Sequence, residues 1–210
     1  MSAARVGVLA LQGAFREHRN MLSALGAESM EIRRRGDFAR GVDGLIIPGG
    51  ESTVIGMLLA EYGLLAPIRA AVRAGLPVFG TCAGLILLSK HIRTPHGTAR
   101  GPLGEMDIVT QRNAYGRQLG SFRAETRFAG VGDIAAVFIR APHVVRVAPH
   151  VEVLARVDGK IVAVRQGHLL ATAFHPELTS DPRIHQYFLT LIETHRAVLG
   201  PCCREAATKN

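Results

Sequence analysis

The chain has 210 residues, the size of one domain, and a chain of this length buries roughly 70% of its unfolded surface with no need of disulfides or a structural metal. Hydrophobic residues make up 48% and charged residues 20%, and no apolar run approaches the ~20 residues of a membrane span, which excludes a membrane protein and leaves a cytoplasmic one as the expectation. The formal charge of +8 comes from mostly dispersed arginines, with one run at Arg33-Arg34-Arg35, no Trp and three Tyr; it reads as a solvated basic surface, with no nucleic acid as partner.

In chain order, Arg5 to Leu11 is an apolar first strand ending at Gln12-Gly13. Ala14 to Leu25 has helical spacing, with Phe15, Met21, Leu22 and Leu25 on one stripe and Gly26 as the stop. Glu28 to Ile32 and Asp43 to Ile47 read as the second and third strands, the latter closed by Pro48-Gly49-Gly50. Ser52 is the expected N-cap of a helix to about Tyr62, and a further helix spans Leu64 to Ala74. Pro77 to Gly80 is the fourth strand, and a helix follows Cys82 through Leu88. Strand and helix by turns imply a parallel sheet wrapped by helices.

The pattern then changes. His91 to Pro102 reads as a polar loop. Beyond it come strand-like segments at Met106 to Val109, Leu119 to Phe128, Ala136 to Ile139, His143 to Val147, Val151 to Val157, Lys160 to Val164 and Leu169 to Phe174. Asp158-Gly159 marks a hairpin turn between two of them. Asp181 to Leu199 is a closing helix. The expected organisation is one domain over residues 1–199 and a frayed tail over 200–210.

Two motifs carry chemistry. Gly80-Thr81-Cys82-Ala83-Gly84 follows an apolar strand and precedes a helix, the form of a nucleophile elbow in which small neighbours let the backbone fold sharply. Alone, such a string is as consistent with a buried structural cysteine. His175-Pro176-Glu177, at the end of another apolar strand, changes the balance. Proline implies an extended local backbone there, so that residues two apart project to one side and the carboxylate of Glu177 holds one ring nitrogen of His175 while the other faces Cys82. Nucleophile, base and orienter are the parts of a covalent hydrolase. Gly49 and Gly50 let the backbone approach a ligand, and the N–H groups of Gly50 and Ala83 are the natural pair for an oxyanion hole. Cys202 and Cys203 suggest neither a disulfide framework nor zinc spacing, and the histidines form no metal-binding pattern, so no metal is expected.

The Cys82 elbow together with His175-Pro176-Glu177 resembles the class I (triad) glutamine amidotransferases. Four longer strings resemble, more narrowly, the glutaminase subunits of pyridoxal 5′-phosphate synthase. These are Leu11-Gln12-Gly13-Ala14-Phe15-Arg16-Glu17-His18, Gly49-Gly50-Glu51-Ser52-Thr53, Gln111-Arg112-Asn113-Ala114-Tyr115-Gly116-Arg117-Gln118 and Phe138-Ile139-Arg140-Ala141-Pro142. The likeness runs from about Val6 to Leu199. It implies Cys82 as nucleophile, His175 as acid and base, and Glu177 as orienter. It also implies a site for L-glutamine lined by Gly50, Glu51, Ser52, Arg112, Ile139 and Arg140, with Gln12 near the oxyanion hole. No cofactor is implied. The implied partner is a separate synthase subunit that receives ammonia in a hetero-oligomer.

The fold expected from all this is a three-layer αβα sandwich with a mostly parallel central sheet and a β-rich C-terminal extension, its site at the carboxyl ends of the strands. A cysteine peptidase on a similar sheet shares the elbow but does not need the longer strings. A binding module of the same fold lacks part of the triad.

Overall fold

The computed structural model describes residues 4–94, 97–112 and 120–199. The first half alternates as β1 (Arg5–Leu9), α1 (Phe15–Ala24), β2 (Glu28–Ile32), a one-turn α2 (Arg35–Phe38), β3 (Gly44–Ile47), α3 (Ser52–Glu61), α4 (Leu65–Arg73), β4 (Val78–Thr81) and α5 (Ala83–Leu88). Strands then dominate: β5 (Ser89–Thr94), β6 (Gly97–Arg100), β7 (Met106–Gln111), β8 (Ser121–Phe128), β9 (Gly132–Ile139), β10 (His143–Val147), β11 (Glu152–Val157), β12 (Lys160–Gln166) and β13 (Leu169–Thr172). A 3₁₀ turn at Pro176–Leu178 leads to α6 (Arg183–Leu199).

Among the described residues the main sheet has 11 strands in the order β2-β1-β3-β4-β13-β12-β10-β7-β5-β6, with β11 paired to β12. From β2 to β13 all neighbours are parallel. Beyond β13 the pairing is antiparallel except between β5 and β7. Strands β8 and β9 form a separate antiparallel hairpin.

Both faces of the parallel part are covered, which is why its strands read as continuous apolar runs. Leu45, Ile47 and Val78 face Ile55 and Leu59 of α3, Ile68 and Val72 of α4, and Leu85 of α5. Val6, Val8, Ile46 and Phe79 face Leu22 of α1, Ile184, Phe188 and Ile192 of α6, and Phe128 and Phe138 of the β8–β9 hairpin. These side chains are almost fully buried, and burying each contributes roughly 1.5–3 kcal/mol. The result is the αβα sandwich with a strand-rich C-terminal half. No single described helix is long and apolar enough to cross a membrane.

The structure departs from the sequence reading in several places, and it adds the one-turn α2 at Arg35–Phe38. The segment expected to be a loop from His91 to Pro102 holds the β5–β6 hairpin, paired from His91↔Arg100 to Thr94↔Gly97. This hairpin is the outer edge of the sheet, and its mostly solvent-facing side chains need not be apolar. The cap of α3 is Glu51, whose carboxylate accepts from the N–H groups of Thr53 and Val54, while Ser52 is the first helical residue. The stretch Pro176–Leu178 is a 3₁₀ turn rather than extended chain. Finally, β9 begins at Gly132, ahead of the expected Ala136.

Candidate active site

Strand β4 delivers Cys82 to the first turn of α5, where it takes φ 49 and ψ −95. A non-glycine residue at positive φ is held there against its own preference. The neighbours must be small. A Cβ on Gly80 would lie 2.7 Å from the carbonyl carbon of Gly84, and one on Gly84 would lie 2.2 Å from the Ile47 carbonyl oxygen. Ala83 is the first residue of α5, so its N–H has no carbonyl four residues back within the helix.

The pairing of β13 with β4 brings the second motif to the elbow. Ala171 sits opposite Gly80 and Thr172 opposite Thr81, and the Cys82 N–H donates to the Thr172 carbonyl at 2.8 Å. The chain leaves β13 and the His175 N–H is fixed on the Val137 carbonyl at 2.8 Å. The 3₁₀ turn then folds Glu177 back, and its Oε1 lies 2.8 Å from His175 Nδ1. The Cys82 side chain stands near enough to the His175 ring to act on its pKa. Burial disfavours an imidazolium there, but the sulfur and the Glu177 carboxylate outweigh it and raise the His175 pKa to about 10. For Glu177 burial works the other way, yet His18 and His175 together hold its carboxyl below the ordinary range.

Other expected residues gather around this centre. Gly49 lies against the His175 imidazole, and a Cβ there would fall 2.3 Å from Cε1. Gln12 Oε1 accepts from the Glu51 N–H at 2.9 Å and would sit 3.1 Å from a Cβ on Gly50. Gln12 thereby holds the peptide that follows Gly50. Glu51 also receives Arg112 Nη2 at 3.0 Å, and Arg112 Nη1 donates to Thr53 Oγ1 at 3.3 Å. Together these hold the residue 111–112 end of β7 against the start of α3. The short-range burden on Glu51 keeps its carboxyl below its usual range: burial opposes this, and the Val54 and Thr53 N–H groups and Arg112 prevail. Ser52 is buried. The Ile139 carbonyl lies 3.9 Å from Cys82 Sγ, and Arg140, exposed, follows with φ 45. The remainder of the Gln111–Gln118 string, residues 113–118, lies outside the described residues, as do Leu119, Cys202, Cys203 and the tail 200–210.

Sequence reasoning assigned no role to three residues behind Glu177. His18 Nε2 is 3.5 Å from Glu177 Oε2 and 3.2 Å from Thr81 Oγ1, and His18 Nδ1 is 2.9 Å from His185 Nε2. All are fully buried. A signal was available in the helical period. His18 falls on the stripe of Phe15 and Leu22, and His185 on that of Phe188 and Ile192, which places each histidine on an inward face.

The pattern of the SNO glutamine amidotransferase family matches residues 8–194. The chain belongs to this family. It is 52% identical to the pyridoxal 5′-phosphate synthase subunit PdxT of Streptococcus pneumoniae strain CGSP14, over 91% of this chain and 99% of that protein. It is also 52% identical to the protein of that name from Carboxydothermus hydrogenoformans, over 88% of this chain and 96% of the relative. A crystal structure described as a glutamine amidotransferase superposes with a TM-score of 0.84 at 49% identity, covering 90% of this chain and 98% of that one. As a glutamine amidotransferase the chain is an enzyme, and its elbow and buried His–Glu pair stand where open α/β sheets bind ligands, beyond the carboxyl ends of β4 and β13.

Proposed function

We propose that the chain is the glutaminase subunit of a pyridoxal 5′-phosphate synthase, hydrolysing L-glutamine to glutamate and ammonia with Cys82, His175 and Glu177 as its triad. The observation that carries the assignment is the pairing of β13 with β4, which brings the Cys82 elbow beside the buried His175–Glu177 pair, itself hydrogen-bonded at 2.8 Å. The relatives named for that synthase cover nearly the whole chain, which favours this reading over a glutaminase serving another synthetase.

In the mechanism, the sulfur of Cys82 attacks the side-chain carbonyl carbon of glutamine after its proton passes to His175. The tetrahedral oxyanion lies between the N–H groups of Gly50 and Ala83. His175 then gives its proton to the departing nitrogen, the C–N bond breaks, and ammonia leaves a γ-glutamyl thioester on Cys82. A water that loses its proton to His175 attacks the thioester, releasing glutamate and restoring the thiol. Glu177 holds the Nδ1–H of His175 throughout, so that Nε2 faces the sulfur. No metal or cofactor enters any step.

Gly50, Glu51, Ser52, Arg112, Ile139 and Arg140 form the glutamine site in this reading. Gln12 sets the oxyanion hole through its bond to the Glu51 N–H. Ammonia passes to a separate synthase subunit in a hetero-oligomer. That division of labour makes wasteful hydrolysis by the free subunit a cost, and the Gly49-Gly50 peptide is the point at which a partner contact near Gln12 would switch it.

The test is glutamine hydrolysis with and without the synthase subunit. Turnover should rise at least about tenfold on adding it, within the ~10²–10³ that one oxyanion donor is worth. Gln12→Ala should blunt that rise more than it weakens glutamine binding. A free subunit as fast as the complex would contradict the switch, and no hydrolysis in either state would contradict the function.

A further inference from the structure

We infer that His18 is a positioning residue, whose Nε2–H holds the outer oxygen of Glu177 and so fixes the carboxylate that orients His175. The inference rests on the triad reading above. Glu177 uses Oε1 for His175. Its Oε2 is buried with no hydrogen bond in ordinary geometry among the described residues. An ionised carboxylate oxygen in that state is costly to bury. The imidazole of His18 faces it at 3.5 Å from helix α1.

The direction of the proton follows from the second histidine. Burial pushes both rings below the ordinary histidine range, His185 to about 3 with His18 adding to the effect, so each ring is neutral and carries one N–H. Among the described residues His185 Nδ1 has no hydrogen-bond partner. If His18 donated from Nδ1 to His185 Nε2, His185 would keep its own proton on Nδ1, an unpaired buried donor. His18 would then turn a lone pair on Nε2 toward a carboxylate. Both faults vanish when His185 Nε2–H donates to His18 Nδ1 across 2.9 Å. His18 then carries its proton on Nε2, shared between Thr81 Oγ1 at 3.2 Å and Glu177 Oε2. A neutral N–H dipole steadies the carboxylate without adding a buried charge.

The groups facing this arrangement are His175 on the turn of Glu177, Cys82 at the start of α5, Thr81 on β4, His185 on α6 and, beside His18 on α1, Glu17. Withdrawing the donor leaves a carboxylate that is easier to protonate and freer to turn. Protonated, Glu177 no longer stabilises the His175 imidazolium, so the acid limb of activity should move to higher pH. A role confined to packing, edge-on to Phe79 at 6.1 Å between ring centres, would not move that limb.

The experiment is the pH profile of glutamine hydrolysis by the complex with the synthase, for the unaltered chain, His18→Leu, His18→Gln and Glu177→Gln. His18→Leu should lose roughly ten- to hundredfold in kcat, the worth of one hydrogen bond to a charged group, with KM for glutamine unchanged and the acid limb shifted upward. His18→Gln, whose amide reaches the Nε2 position, should restore the limb. His18→Asn, whose amide stops at the Nδ1 position, is the polar fallback should the leucine variant not fold, and should behave like it. A slowed His18 variant with an unmoved acid limb, or one as fast as the unaltered chain, overturns the inference while Glu177→Gln remains impaired. Should Glu177→Gln itself match the unaltered chain, the triad reading fails, and the role of His18 fails with it.

Discussion

Gly49 and His175 are packed so closely that no side chain fits between them: a Cβ on Gly49 would lie 2.3 Å from the imidazole Cε1 and 3.0 Å from Nδ1. The glycine after Pro48 therefore has a steric role distinct from any amide it presents. Gly49→Ala must push the ring off its line between Cys82 and Glu177. A displacement of about 1 Å in a reacting group costs on the order of 10²-fold in rate. Steady-state kinetics should show kcat falling by that order while glutamine still binds. An alanine variant at full speed would mean that the ring has room the structure does not give it.

The Glu177 carboxylate helps raise the His175 pKa to about 10, against burial and alongside the Cys82 sulfur. Glu177→Gln removes a negative charge that favours the imidazolium, so the His175 pKa should fall. Since a neutral His175 has no proton to give the leaving nitrogen, the basic limb of the pH–rate profile should shift to lower pH. Turnover should drop but not vanish, because His175 itself moves the proton. An NMR titration of the His175 ring checks the shift directly, and an unchanged titration would reduce the triad to a dyad.

Glu51 caps α3 through Thr53 and Val54 and also receives Arg112. The two roles separate by mutation. Glu51→Ala should lower stability to urea by about 1 kcal/mol, the usual worth of an N-cap. Arg112→Ala removes a partly exposed ion pair and a long hydrogen bond to Thr53 Oγ1; a surface pair of this kind is worth at most about 1 kcal/mol and commonly much less, so its effect should appear in KM for glutamine instead. Equal loss of stability in both variants would mean that Arg112 is part of the cap.

Much of this was legible in the chain itself, for physical reasons that vary by element. The cores of β1, β3, β4 and β13 stand out because both faces of the parallel sheet are covered, leaving unbroken apolar runs. The elbow and the His175–Glu177 pair were readable because chemistry demands those residue types in that order. The register was not: nothing local says that β13 lies beside β4, with Thr172 opposite Thr81. The β5–β6 hairpin escaped because an exposed edge strand carries no apolar alternation. The cap fell to Glu51 rather than Ser52 because a longer carboxylate reaches two N–H groups at once. His18 and His185 were passed over because a histidine on an apolar helical stripe carries no motif until the fold shows what it faces.

The most direct measurement is to trap the covalent intermediate. With isotopically labelled glutamine and the synthase present, an acid quench followed by mass spectrometry of the digested chain should find a γ-glutamyl thioester on Cys82. The adduct should be lost in Cys82→Ala and absent from Cys202 and Cys203. Glutamine turnover with no adduct on Cys82, or one that persists on another residue in Cys82→Ala, would contradict Cys82 as the nucleophile.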